Sequence, residues 1–346
     1  MVKGRWRHWE FWPTWAAYPP VVAWIAIQSI RHGGFRPITA ANPGLTDGGL
    51  VGESKHDIQS RLPSPWAIPC DVIEAGDLRT RMSSLQRVMR DNGWKYPIVL
   101  KPDVGQRGSG VRKVADAASA RLYLLQYPHR IVTQPWHPGP YEAGIFYARH
   151  PDESRGRILS ITDKIFPIVT GDGSSTLAQL IDAHPRFRLQ AATFHRRHAS
   201  RVKTVPSAGE RVHLAEVGNH CQGTMFLDGR ELWTPALEAR IDAIAREVPG
   251  FYIGRFDVRY TDVERFKAGD DLRVIELNGV TAEPTDIYDP GRTVWSAYAA
   301  LFDQWHRVFE IGRANLQRGH GGASAFRLLQ LGLAHLADRR AFPVSS

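Results

Sequence analysis

Cysteine is scarce in this chain: only Cys70 and Cys221 occur among its 346 residues. Two cysteines make neither a disulfide framework nor a zinc site. This scarcity is typical of proteins that work in a reducing compartment. We therefore expect a cytoplasmic protein.

The sequence also lacks a secretory signal, an internal repeat and a low-complexity tract. No small-x-small cleavage site follows a compact apolar core near the start of the chain. Its 43% hydrophobic and 23% charged residues are those of an ordinary globular protein. The length is sufficient for one large domain, or for two to three closely packed domains with a sizeable core.

Acidic residues are few relative to basic ones. The chain has 44 lysines and arginines against 35 aspartates and glutamates, which gives a formal charge of +9. The excess implies an acidic partner: a nucleotide, an anionic membrane surface or a nucleic acid.

Within the basic stretch 185–205, which has no acid, Arg196 and Arg197 are candidates to bind substrate carboxylates, an acyl-phosphate oxygen or a lipid headgroup. A solvated helix face is the alternative. Few aromatic residues alternate with these charges, so we expect no nucleic-acid partner.

Segment 1–36 has a single acid, Glu10, and many aromatic side chains: Trp6, Trp9, Phe11, Trp12, Trp15, Tyr18 and Trp24. Tryptophans beside arginines favour a membrane interface, here the inner face of the cytoplasmic membrane. A helix packed on the rest of the protein and a spanning helix are the alternatives. The uncharged run 11–30 is long enough to span, but its prolines argue against one perfect helix.

Two stretches, 254–260 and 272–278, have the alternation and the β-branched and aromatic content of strands. Residues two apart share one face of a strand. If the strands pair, one face carries four polar side chains: Arg255 and Asp257 on the first strand, Glu276 and Asn278 on the second. Oxygen ligands of this kind suit Mg²⁺, and the arginine would neutralise a transferring phosphoryl group. Two edge strands with a solvated polar face are the alternative.

Two glycine-rich stretches are candidates for anion binding. The first, 103–111, follows a short strand that ends at Lys101, and backbone N–H groups of such a loop can close over phosphates. A simple hairpin is the alternative, and a lysine ahead of the glycines excludes the GxxxxGK[ST] loop. The second leads to Ser54 and Lys55, which could bind an anionic group or form an ordinary helix N-terminus.

Seven motifs follow one another along the chain: Lys101-Pro, the glycine loop, Gln134 before Glu142, Lys164, the Gly171-Asp-Gly turn, Gly-Arg-Phe-Asp-Val at 254–258 and Ile-Glu-Leu-Asn at 275–278. This order resembles the ATP-grasp carboxylate–amine ligases, such as D-alanine–D-alanine ligase and cyanophycin synthetase. The resemblance implies an α/β (α+β) protein in which two α/β subdomains grip ATP. Four parts are expected: a helical, aromatic-rich N-terminal segment (1–36), a glycine-rich region on the substrate side (37–94), the ATP-grasp domain (95–290) and C-terminal helices (291–346).

The resemblance also implies roles for individual residues. Lys101 and Lys164 would clamp the phosphates of ATP. The flexible loop over the triphosphate would include Gly105, Arg107, Gly108, Ser109 and Gly110. Gln134 and Trp136 would face the adenine, and Glu142 would hold the ribose. Asp257, Glu276 and Asn278 would bind Mg²⁺ or Mn²⁺, and Arg255 would stabilise the acyl-phosphate step.

The expected reaction is therefore ATP-dependent ligation. A carboxylate would be activated as an acyl phosphate and displaced by an amine, with release of ADP and phosphate. The carboxylate and amine would be small molecules or lipid-linked. His220 could deprotonate the amine, and Glu283 and Asp286 could hold its cationic form. The alternatives are an ATP-grasp kinase and a nucleotide-binding membrane-surface module without turnover. A homodimer is compatible with the sequence.

Overall fold

The computed structural model describes residues 9–50, 52–105, 110–215, 218–219, 223–324, 326–328 and 330–331. The predicted loop residues Arg107, Gly108 and Ser109 and the candidate base His220 lie outside the described residues. So does most of the predicted C-terminal helical region beyond 331.

The described part contains helices and strands in mixed order. The α-helices are α1 (Thr14–Ala17), α2 (Pro19–Arg31), α3 (Arg36–Ala40), α4 (Lys55–Gln59), α5 (Leu78–Asp91), α6 (Ala117–Gln126), α7 (Leu177–Ala183), α8 (Ala191–Arg197), α9 (Pro235–Glu247), α10 (Val263–Lys267) and α11 (Val294–Gln317). The strands are β1 (Asp71–Ile73), β2 (Ile98–Pro102), β3 (Arg112–Val114), β4 (Ile131–Pro135), β5 (Tyr141–Ala148), β6 (Arg157–Ile165), β7 (Ile168–Thr170), β8 (Arg211–His213), β9 (Met225–Asp228), β10 (Ile253–Tyr260) and β11 (Arg273–Asn278).

A four-stranded antiparallel sheet has the order β1-β4-β2-β3. Helices α5 and α6 supply its core, in which Leu85 and Tyr123 are fully buried. Asp77 starts α5 by accepting a hydrogen bond from the N–H of Thr80, as its N-cap position predicts. Because β1 pairs with β4, the sequence-predicted boundary at residue 95 passes through this sheet.

A five-stranded antiparallel sheet has the order β11-β10-β5-β6-β9. One face packs against α9, where Ile241 and Ile244 meet buried sheet residues such as Phe256 and Val258. The segment before β1 runs along the free edge of β11, where Ile68 donates a backbone hydrogen bond to Val274. The predicted mixed α/β class with two sheet-bearing subdomains is confirmed.

Helix α2, near the N-terminus, packs on helix α11. Pro19 and Pro20 occupy the first two positions of α2, where a proline loses no intrahelical hydrogen bond, so they begin this helix. Its inner face contacts α11: Val21 packs beside Leu301, and the indole N–H of Trp24 donates to the carbonyl of Phe302 at 2.9 Å. None of the described helices is long and apolar enough to cross a membrane.

Candidate active site

A cleft of about 1120 Å³ lies between the two sheets. The four-stranded sheet contributes Lys101 and Gln134 to it. The five-stranded sheet contributes six charged side chains: Glu142, Lys164, Arg255, Asp257, Arg259 and Glu276. The predicted nucleotide and metal residues that the structure describes therefore converge on one space, except Gly110, which is not among the described cleft-lining residues.

The predicted pairing of the two polar strands is observed. In the antiparallel register of β10 and β11, Asp257 lies opposite Glu276 and Arg255 lies opposite Asn278. Asp257 is 4% exposed, and its carboxylate accepts hydrogen bonds from Arg255 at 3.0 and 3.2 Å and from the Asn278 amide at 3.4 Å. Three of the side chains that period-2 alternation predicted on one face therefore contact one another: Arg255, Asp257 and Asn278.

The Asp257 carboxylate also joins Arg255 to a chain of buried ion pairs. Lys164 binds Asp257 and Glu142, each at 2.9 Å, and Arg259 binds the other oxygen of Glu142 at 3.0 Å. The side chains of Lys164, Glu142 and Arg259 are 4–6% exposed. Alternating charges at hydrogen-bond distance compensate one another's loss of hydration.

The pKa shifts in this chain follow from burial and charge. Burial opposes ionisation of Asp257, but Arg255 and Lys164 outweigh it and lower the pKa of Asp257 to about 2. Burial likewise opposes the charge on Glu142, and Lys164 with Arg259 holds the pKa of Glu142 below its ordinary value. The pKa of Lys164 is raised: burial would lower it, and the two carboxylates overcome that effect. All three groups are therefore charged near neutral pH.

Glu276 differs from its neighbours in having no partner. Its half-buried carboxylate lines the cleft and forms no hydrogen bond or ion pair with any other described residue. Asn278 donates its amide nitrogen to Asp257, which leaves the amide oxygen available. Two carboxylates and an amide oxygen at one wall fit the donor chemistry of Mg²⁺. The described ranges contain no group of three or more His, Cys, Asp and Glu side chains that could hold a metal ion, so this wall, with two carboxylates and one amide, would need ligand oxygens to complete a site.

The register of β11 contains a bulge that alternation did not predict. The pairing shifts between Asp257 and Val258, so that Ile275 has no partner opposite it. Ile275, expected on the face opposite Glu276, lines the cleft instead. Its carbonyl oxygen accepts a hydrogen bond from the ammonium of Lys101 at 3.2 Å. A carbonyl at the bulge thus holds the ammonium of Lys101, which comes from the other sheet.

The wall from the four-stranded sheet has polar groups with few partners. Lys101 is 5% exposed and forms no ion pair with a described residue. Gln134 is also 5% exposed, and its side-chain oxygen has no hydrogen-bond partner among the residues that the structure describes. A buried acceptor without a donor is costly, so Gln134 is suited to receive an N–H from a bound ligand. Trp136 lies 4.6 Å from Lys113 and 4.2 Å from the guanidinium of Arg259, measured to the ring centre.

Ser54 and Lys55 lie at the start of α4, beside the glycine loop. The hydroxyl of Ser54 caps the helix by accepting from the N–H of Asp57. The ammonium of Lys55 donates to the carbonyl of Gly105 at 2.5 Å, and burial lowers its pKa. Glu53, which the sequence argument did not single out, also lines the cleft, and burial raises its pKa to about 7.

The remaining predicted substrate residues divide into two groups. Glu283 lines the cleft, and Asp286 forms a buried ion pair with Arg292 at 2.5 Å and is not among the described cleft-lining residues. Arg196 and Arg197 lie on α8, outside the described lining, and Arg197 donates to the carbonyl of Leu214 at 2.9 Å. Both oxygens of Glu142, the predicted ribose ligand, contact protein cations.

Several cleft residues were missed by sequence reasoning. Arg259 could have been found, because it follows Arg255 and Asp257 at period 2 on the same strand face. The aromatic residues from Trp9 to Tyr18 carried no local signal for this role. They reach the cleft through contacts with segments far along the chain, such as Tyr288.

No protein-family model and no curated protein matches the sequence. Among solved structures, the chain is similar to D-alanine-D-alanine ligase from Coxiella burnetii, with 10% identity, a TM-score of 0.40 and coverage of 77% of this chain and 59% of that one. It is similar to a bifunctional glutathione synthetase from Pasteurella multocida, with 14% identity, a TM-score of 0.34 and coverage of 74% and 38%. It is also similar to VanG D-Ala:D-Ser ligase from Enterococcus faecalis, with 12% identity, a TM-score of 0.38 and coverage of 74% of this chain and 60% of that one.

The chain thus spans 38–60% of the length of these solved chains. The predicted resemblance to ATP-grasp ligases is confirmed as a likeness to such structures. Because these TM-scores are below 0.5, the likeness supports no particular activity, and the proposal below depends on the side chains of the cleft alone.

Proposed function

We propose that the protein is an ATP- and Mg²⁺-dependent ligase that activates a carboxylate as an acyl phosphate and joins it to an amine. The observation that supports this most is the meeting of Arg255, Asp257, Glu276 and Asn278 with two buried lysines in one cleft. A carboxylate is a poor acyl donor, because its oxide is a poor leaving group. Transfer of the γ-phosphoryl group of ATP to that oxygen supplies a better one.

The chain's own residues have distinct parts in this scheme. Asp257, Glu276 and Asn278 would hold Mg²⁺, which supplies charge neutralisation for the phosphates of ATP. Lys101 enters from the opposite sheet and would bind phosphate oxygens, since no described carboxylate satisfies its charge. Arg255, held by Asp257, presents a guanidinium to the equatorial oxygens of the transferring group. Gln134 would accept a hydrogen bond from the adenine amino group.

The experiment is product analysis with trapping. Purified protein, Mg-ATP and fractionated bacterial carboxylates would be incubated with hydroxylamine, beside a Glu276→Gln control. ADP, free phosphate and a hydroxamate in the intact protein alone would support the ligase, because hydroxylamine intercepts an acyl phosphate. ADP with a stable phosphorylated product and no hydroxamate would favour the kinase. AMP and pyrophosphate would reject the acyl-phosphate mechanism, and ATP binding without turnover in every fraction would favour the non-catalytic module.

We also propose that the outer face of α2 meets an anionic membrane surface. Three of its apolar side chains are exposed: Val22 (61%), Ile27 (43%) and Ile30 (82%). Trp15 in α1 and Trp295 in α11 are about three-quarters exposed. These two helices meet where the hydroxyl of Tyr298 donates a hydrogen bond to the carbonyl of Ala17. The exposed Arg31 and Arg36 end this surface and complement anionic lipid.

Vesicle flotation tests this location. We expect the full chain to float with phosphatidylglycerol vesicles, to bind phosphatidylcholine vesicles weakly, and to lose binding in Ile30→Glu. An Ile165→Glu variant is the control, since Ile165 is exposed on another element. Equal recovery of all three proteins with both vesicle types would reject the proposal.

A further inference from the structure

The chain from Trp9 to Tyr18, here called the strap, forms part of the cleft wall. It consists of a 3-10 turn (Trp9–Phe11), the short helix α1 and their flanks, and most of its residues line the cleft. The strap therefore belongs to the site although it lies more than 230 residues before the metal-site strands in the sequence.

The strap is fixed by a buried ion pair. The carboxylate of Glu10, 3% exposed, contacts the guanidinium of Arg186 through both oxygens, the Oε2 contact being 2.7 Å. The same guanidinium lies 4.8 Å from the ring centre of Phe11. Since Arg186 compensates Glu10, this acid contributes little net charge to the cleft.

A second acid in this part of the cleft is surrounded by aromatic side chains. Tyr18 and Tyr288 both donate their hydroxyls to the carboxylate of Glu283, the latter at 2.8 Å, and the two hydroxyls lie 3.3 Å apart. Trp9 stacks on Tyr288 with ring centres 5.3 Å apart. We call Trp9, Tyr18, Glu283 and Tyr288 the aromatic box; two of its four members come from the strap.

The carboxylate of Glu283 feels the positive charge of Arg255 but is not paired with it. None of the described side chains forms an ion pair with this carboxylate, and two tyrosine hydroxyls leave further lone pairs on its oxygens. Burial, Glu283 and Tyr18 raise the pKa of Tyr288 well above its ordinary value, so its hydroxyl remains a donor. A half-buried carboxylate among aromatic rings attracts a cation more strongly than an exposed one does.

The aromatic box is also connected to the reaction centre. The guanidinium of Arg255 donates to the backbone carbonyl of Glu283 at 3.1 Å. This bond holds the loop that carries Glu283 against the strand that carries Asp257. A group bound at Glu283 therefore lies beside the residues that would form the acyl phosphate.

We propose that the aromatic box binds the ammonium group of the amine substrate, so that the strap helps to select which amine is ligated. This inference rests on the proposed ligase function. It predicts an organic amine with apolar carbon next to the nitrogen, because the carboxylate takes the charge and the rings of Trp9, Tyr18 and Tyr288 cover the carbon. A second carboxylate compound is disfavoured there by the charge of Glu283.

The test uses three probes of one shape and different charge: benzylammonium, benzyl alcohol and benzoate. Binding to the full chain would be followed by isothermal titration calorimetry at pH 7. We expect benzylammonium to bind at least about tenfold more tightly than benzyl alcohol, the effect of one charge-assisted hydrogen bond. Benzoate reports separately on the carboxylate site that the ligase requires in the same cleft. Equal binding of benzylammonium and benzyl alcohol would overturn the proposal without any variant.

Variants then locate the site. Glu283→Gln should abolish the preference for benzylammonium over benzyl alcohol, whereas Asp303→Asn, which removes an exposed charge on α11, should keep it. Tyr18→Phe keeps the ring and should weaken binding of these two probes less than Trp9→Ala does. A preference that survives Glu283→Gln in a folded variant would place the cation elsewhere and reject the box.

Mg-ATP binding is measured in the same samples, so that the two proposals fail separately. Binding of Mg-ATP with no charge preference between benzylammonium and benzyl alcohol would reject the aromatic box and leave the ligase standing. A charge preference in a protein that does not bind Mg-ATP would reject the ligase and leave a cation-binding pocket.

Discussion

The two walls of the cleft satisfy their charges in opposite ways. On the five-stranded sheet, Lys164, Glu142 and Asp257 compensate one another in a buried chain of ion pairs. On the four-stranded sheet, Lys101 and Gln134 are equally buried. Among the described residues, Lys101 has one carbonyl partner and the side-chain oxygen of Gln134 has none. The ion-paired side chains of the first wall are satisfied without a ligand, and we call them the complete wall. The second wall leaves polar groups that a ligand would satisfy, and we call it the incomplete wall. We infer that the first fixes geometry and the second gains most from nucleotide binding.

The largest effect is expected where the complete wall is broken. Glu142→Gln leaves Lys164 and Arg259 buried with one carboxylate fewer, and should reduce the free energy of unfolding by about 3–5 kcal/mol. Urea denaturation measures it. Glu264→Gln neutralises an exposed pair with Lys267 and should change stability by less than about 0.5 kcal/mol. Equal stability of the two variants would mean that the ion-pair chain contributes nothing.

Glu276 lies on the same sheet, outside this chain of ion pairs, and forms no hydrogen bond or ion pair with a described residue, so its substitution separates activity from stability. Glu276→Gln should leave urea denaturation unchanged and reduce Mg-ATP turnover on the order of 100-fold, as the loss of one transition-state stabiliser does. A drop in stability comparable to that of Glu142→Gln would contradict its assignment as a ligand-facing carboxylate.

Acid should weaken the complete wall. The folded-state pKa of Asp257 is about 2, below its unfolded value of about 3.9, so its contribution is present above pH 4 and is lost as pH falls toward 2. The lowered pKa of Glu142 acts in the same direction. The raised pKa of Lys164 matters only in alkali, where its contribution is lost as pH rises through the folded value. The urea concentration at the midpoint of unfolding should fall as the pH is lowered from 7 to 2.5. It should fall less steeply in Asp257→Asn.

Lys101→Met tests the incomplete wall. The substitution removes the ammonium and, with it, one hydrogen bond to the carbonyl of Ile275, so the folded protein should be as stable as the parent. Mg-ATP binding should weaken by about tenfold, because one bond to a phosphate oxygen is lost. Calorimetric titration measures the affinity, with Lys267→Met as a surface control. If the variant binds Mg-ATP as the parent does, Lys101 does not contact the phosphates.

The smallest effect concerns packing beneath Asp257. Gly144 lies opposite Asp257 on β5, and an added Cβ would come within 3.2 Å of Arg255 and 3.3 Å of the Asp257 carboxylate. Gly144→Ala should therefore cost about 1 kcal/mol in stability and lower turnover several-fold by displacing the arginine. Gly321→Ala, where nothing lies within 4 Å, is the matched control. Unchanged turnover would show that Arg255 adjusts freely.

The strands of the site were predictable because their signal is local. Period-2 alternation placed Arg255 with Asp257, and Glu276 with Asn278, before any pairing was known. The caps of α4 and α5 followed from Ser54 and Asp77 in the same way. In contrast, the bulge at Ile275 depends on how β11 fits against both β10 and the segment that runs along its edge, so alternation alone missed it.

What the sequence by itself determined is the polar inventory of two strands and the N-caps of α4 and α5, since alternation and capping act between neighbours in the chain. Only the tertiary structure decided which of those charges are compensated. Glu142 meets Lys164 and Arg259 because three strands lie side by side, and Glu283 meets Tyr18 because the strap crosses the cleft. Contacts between residues 22 to 265 positions apart leave no mark in local pattern. Their energetics depends on burial, which arises only when the chain has folded.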